Sequence, residues 1–107
     1  MTPLPEDSAQ RKEYPMYRGL FRYFPKALAA VSNHSFKGGQ QHGHESLHWD
    51  RSKSSDDPDA LLRHVLEEDW HGAAWRALAC LEKHLEERIE QENQHRETFR
   101  KDVEKNA

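Results

Sequence analysis

From Ala74 to Ile89 the residues Ala74, Ala77, Leu78, Leu81, Leu85 and Ile89 keep one helical spacing over four turns, the pattern of a helix with one buried face. Ala73, Ala74, Ala77 and Ala79 on the same stretch are small enough to let a second helix approach closely. A long helix with such a stripe is unstable alone in water, so the chain must supply a packing partner or find one. A shorter helix is read just upstream. Asp56 and Asp57 precede Pro58, an N-cap followed by a first-turn proline, and Leu61, Leu62, Val65 and Leu66 then read as the buried stripe of a shorter helix. Its polar face is expected to carry Asp59, Arg63, His64, Glu67 and Glu68, with Gly72 breaking or kinking the chain before the long helix.

An earlier helix is expected from Pro25 to about Lys37, with Phe24, Ala27, Leu28 and Val31 as its stripe and Gly38-Gly39 as its stop. The fold class is therefore all-α: a small bundle of three main helices plus a C-terminal extension. Hydrophobic residues make up only 35% of the 107 residues against 33% charged, and mean hydropathy is -1.13. So little apolar material leaves a thin core, which oligomerisation would complete. Residues 1–13 read as a mobile arm, 14–89 as the domain, and 90–107 as a polar tail, helical or frayed, that could pack on another subunit with only Phe99 and Val103 to bury.

Charge and cysteine content narrow the function. Sixteen Lys and Arg against 19 Asp and Glu give a formal charge of -3, which argues against coating nucleic acid through net charge. The single Cys80 forms no internal disulfide, and no apolar run approaches the roughly 20 residues of a membrane helix. A soluble protein of a reducing cytoplasm is the expectation. There is no phosphate-binding glycine loop and no His-Asp dipeptide, and His42, His44 and His48 lack the cysteine or helical histidine partners of a structural zinc site.

Chemistry concentrates between Lys37 and Asp69. Asp56 with Asp59, and His64 with Glu67 and Glu68, fall on shared helical faces, the minimum arrangement for a hard divalent ion that takes oxygen ligands. Acidic first turns also arise simply because they complement the helix dipole. Lys37, Arg51, Lys53 and Arg63 offer phosphate contacts, and Trp49 a surface on which a purine could stack. The aromatic run Tyr14 to Phe24, flanked by Arg18 and Arg22, reads either as a cap of rings on the core or as a further wall for a base.

The segments YPMYRGLFRYFPKALAAVSNHSFKGGQQH, LHWDRSKSSDDPDALLRHVLE and AAWRALACLE resemble the phage dATP/dGTP diphosphohydrolase family, the MazZ-type relatives of MazG among the all-α nucleoside triphosphate pyrophosphohydrolases. The likeness covers about Tyr14 to Leu85. It implies hydrolysis of dGTP or dATP to the monophosphate and pyrophosphate with Mg²⁺ or Mn²⁺, in a homodimer or homotetramer, and host cytoplasm if the chain is phage-encoded. By the same resemblance, Asp56, Asp59, Glu67 and Glu68 would hold metal, Asp59 and Glu67 would be catalytic, and Asp69 or His71 would contribute from the helix join. Lys37, Arg51, Lys53 and Arg63 would bind phosphate, and Trp49, His48 and His64 would bind the base. The chain departs from the family in two respects: it shows in full neither the ExxE helix nor the ExxD helix that follows it, its long helix beginning HGAAWR with no acid, and the longer polar connection usual before AAWRAL is almost absent. A non-catalytic helical interaction protein, and a small nucleic-acid-binding factor using the basic-aromatic stretches, stand as alternatives.

Overall fold

The computed structural model describes residues 3–41, 47, 49, 51 and 56–105. It is all-α, with no strand among the described residues. The chain divides into two compact units, residues 1–48 and 49–107.

In the first unit, one helical turn, α1 (Ser8–Arg11), forms within the expected arm because the Asp7 carboxylate accepts from the Gln10 N–H at 2.9 Å. The aromatic segment contains a π-helical turn at Tyr17–Phe21. Its rings do not close over a core, since Tyr17 and Tyr23 are 69% and 71% exposed. Helix α2 (Pro25–Gln41) runs through Gly38 and Gly39, where a stop was expected. Each glycine costs only about 1 kcal/mol inside a helix, too little to end one without a capping arrangement.

The second unit is a helical hairpin of α3 (Asp57–Leu66) and α4 (Trp70–Lys105). The break between them lies upstream of Gly72, at Glu67–Asp69. Glu68 takes φ +57, the left-handed conformation; its N–H donates to the Val65 carbonyl at 3.1 Å and the Asp69 N–H donates to the His64 carbonyl at 2.8 Å. That pair of bonds closes a helix end of the Schellman type, with glutamate where glycine usually stands. Asp69 then starts α4 by accepting the Gly72 N–H on Oδ1 at 3.2 Å.

Gly72 therefore serves α4's first turn, as the residue over which α3 closes. A Cβ there would lie 2.6 Å from both His64 Nδ1 and Asp69 Oδ2.

The buried face of α3 is rotated from the expected one. Asp57 and Ala60 are buried, with Leu61 and His64 partly so, while Leu62 and Leu66 are 59% and 74% exposed. Across from them α4 buries Gly72, Ala73 and Ala79, so the helices meet through small residues. From His84 to Lys105 every residue of α4 is exposed, yet the helix is unbroken, the helical of the two alternatives, helical or frayed, expected for the tail. None of the helices among the described residues is long and apolar enough to cross a membrane.

Two substitutions test the hairpin turn by chemical denaturation. Glu68→Gly relieves the left-handed strain and should stabilise by about 1 kcal/mol; a loss would mean that this conformation is not adopted. Gly72→Ala should destabilise by about 1–2 kcal/mol despite alanine's better helix propensity, because His64 and the Asp69 cap must move; a gain would contradict the close approach.

Candidate functional site

The polar groups of the hairpin gather around Asp57 and Trp49. Asp57, in the first turn of α3, keeps only 4% of its side chain exposed and lies 2.7 Å from Arg76 Nη1 and 2.5 Å from Lys83 Nζ. Those cations are seven residues apart, two turns of α4, so both project from one face toward the start of α3. Their stems keep them partly wet, at 28% and 26% exposed. A carboxylate this buried is tolerable only with paired charges, and here each oxygen has one.

Beside it stand two indoles. Trp49 meets Trp75 edge to face, with centroids 5.5 Å apart. The Arg51 guanidinium lies 4.4 Å from the Trp49 ring centroid and Lys83 Nζ 5.7 Å, while Arg76 lies 5.5 Å from that of Trp75. Arg51 also reaches both carboxylate oxygens of Glu86 at 2.6 Å. Among the described residues, three cations thus surround the indole pair, with the carboxylates of Asp57 and Glu86 beside them. The Trp49 Nε1 atom is buried without a hydrogen-bond partner.

The expected site residues fall into three groups. Trp49 and Arg51 belong to this cluster. Asp56, Asp59, Arg63, Glu67 and Glu68 are exposed, and Asp56 is engaged by Arg63 at 3.1 Å, a surface pair of small energetic weight. His64 sits at the hairpin turn with Nδ1 2.9 Å from Asp69 Oδ2, a close contact not aligned as a hydrogen bond; His71 is exposed on α4. Lys37 is exposed on α2, in the first unit. His48 and Lys53, like His42 and His44, lie outside the described residues.

The sequence pattern gives Asp57 no role beyond an acidic helix start, and it assigns no site role to Trp75, Arg76 or Lys83. The usable signal was a spacing: Asp57, Ala60 and His64 share one face of α3, opposite a small-residue face of α4 carrying two cations two turns apart.

The described residues of one chain form no set that fits the divalent ion implied by the resemblance. Among the described residues no three of His, Cys, Asp and Glu come together to hold a metal, and the buried carboxylate is already neutralised by Arg76 and Lys83. No family model matches the chain, and no curated protein or solved structure matches it.

Asp57→Ala strips two half-buried cations of their counter-charge and should lower stability by about 3 kcal/mol, whereas Asp59→Ala, exposed on the same turn, should stay within about 0.5 kcal/mol. Equal effects in urea titrations would mean that Asp57 is not the anchor.

Proposed function

We propose that the chain is a subunit of an oligomeric purine deoxynucleoside triphosphate diphosphohydrolase, releasing pyrophosphate from dGTP or dATP. The observation that carries this reading is the cation-rimmed pair of indoles: a flat aromatic surface at Trp49 with Arg51 and Lys83 beside it and Arg76 next to Trp75. A purine has an aromatic face to stack, and a triphosphate has the charge to draw arginine and lysine from carboxylate partners. The motifs of the resemblance support it as well, since LLRH lies on α3 and AAWRAL on α4, the two helices that pack together.

In this reading Trp49 orients the base. Arg51, half exposed and paired with an exposed Glu86, swings from that carboxylate to phosphate. Arg63, equally accessible, neutralises charge on the leaving pyrophosphate. A divalent ion enters through the resemblance alone, and no step is drawn through it. Asp59 and Glu67 remain the proposed catalytic carboxylates, to be completed by groups from another subunit.

One observation favours a second reading, a non-catalytic helical interaction protein: the four carboxylates proposed for metal binding stay on the surface and gather no third ligand among the described residues.

Incubation with a panel of dNTPs and Mg²⁺ or Mn²⁺ separates the two readings. The enzyme reading expects dGMP or dAMP with pyrophosphate, and a fall of roughly a hundredfold in turnover for the double variant Asp59→Ala/Glu67→Ala, with helicity unchanged in circular dichroism. Absence of pyrophosphate from every dNTP would leave the interaction protein, and full activity in the double variant would remove both carboxylates from catalysis.

A further inference from the structure

Beyond the hairpin, α4 continues into water as a single helix whose residues from His84 to Lys105 are all exposed. Its apolar residues there are not scattered. Leu85, Ile89, Phe99 and Val103, which are 45%, 51%, 67% and 53% exposed, share one stripe, and Glu92 and Arg96 fill its middle. The six positions are spaced 4, 3, 4, 3 and 4 residues apart. That alternation is the seam of a two-stranded coiled coil, in which every position is a knob for a facing helix.

We propose that this segment pairs with the same segment of a second copy of the chain, antiparallel, in one register. The stripe reads the same from both ends: two apolar residues, a charge, the opposite charge, two apolar residues. Run antiparallel about its midpoint, Leu85 meets the second copy's Val103, Ile89 meets its Phe99, and Glu92 meets its Arg96. Each apolar layer is then apolar on both sides, and the central layers are two opposite-charge pairs. Parallel pairing would bury Glu92 against glutamate and Arg96 against arginine, and like charges in a seam are strongly unfavourable.

The flanking positions agree. In the same register Arg88 faces the second copy's Asp102, Glu86 faces its Arg100, and Asn93 faces Asn93, so no like-charged pair arises among them. Glu86 already holds Arg51 within its own chain, so that flank would be a shared contact. Among the described residues Glu92 and Arg96 form no ion pair, and they line, with Arg88, Gln91 and His95, a shallow open groove at the middle of the stripe. A partner of different sequence would have no reason to match this internal symmetry, and a second copy matches it by construction. Nothing here depends on whether the chain is an enzyme.

The full-length chain, followed by sedimentation equilibrium from about 1 to 100 μM, tests the register through charge reversal. The wild type should dimerise with a dissociation constant on the order of micromolar. Glu92→Arg or Arg96→Glu alone places like charges in the central layers and should raise that constant at least about tenfold. The double variant Glu92→Arg/Arg96→Glu restores opposite pairs and should return it to within about threefold. Both positions, Glu92 and Arg96, are exposed in the single chain, and circular dichroism should report unchanged helicity in all three variants. A wild type still monomeric at the highest concentration, single reversals without effect, or a double variant no better than the singles would each overturn the proposal.

Discussion

The second unit is held in its geometry by one buried carboxylate between two cations. Asp57 fixes where α3 begins, and Arg76 and Lys83, two turns apart, fix which face of α4 it meets. The hydrophobic contribution that normally sets such a choice is small here: the buried apolar residues are Ala60, Ala73 and Ala79, and alanine removes little area from water. Ionic geometry therefore does what a leucine core does elsewhere. The cost of desolvating Asp57 is met by paired charge at both oxygens, and the partial exposure of Arg76 and Lys83 reduces their own desolvation. The indoles follow from the same arrangement, since Lys83 and Arg76 also lie beside Trp49 and Trp75.

Much of the architecture is legible in the text. The period of α4 is unmistakable because it comes from many residues on one helix, and the Asp-Asp-Pro-Asp start of α3 carries its own stop and start chemistry. What is not legible depends on how α3 is rotated about its axis. Asp56, Asp57 and Asp59 look alike in sequence, and only the packing of α3 on α4 decides that Asp57 is enclosed while Asp59 faces water. The turn is hidden for another reason. A glycine is the usual residue for a left-handed helix end, so Gly72 draws attention, yet Glu68 adopts that conformation and Gly72 answers instead to the approach of His64. Of the candidate site, Trp49 and Arg51 are visible as an aromatic and a cation in one loop. Trp75, Arg76 and Lys83 are concealed because surface and interface positions of a long helix read alike until its neighbour is placed.

Both the catalytic proposal and the pairing of α4 follow from a chain too poor in apolar residues to finish its own surface. Leu78, Leu81, Leu85 and Ile89 all remain about half exposed, far more apolar surface than a solitary helix keeps at no cost in water. In both proposals a second subunit would cover part of that stripe. Association is thus the common requirement of the enzymatic reading and of the interaction-protein reading, which differ only in whether those carboxylates then act on a nucleotide.

The claim beneath all of this is that Asp57 and its cations act as a unit, and a double-mutant cycle measures that directly. Unfolding free energies of the wild type, Asp57→Ala, Arg76→Met and the double variant give the coupling between the two side chains. The account predicts a coupling of at least about 1.5 kcal/mol, since removing either partner already forfeits the pair. Effects that add to within about 0.4 kcal/mol would show two independent side chains and contradict it.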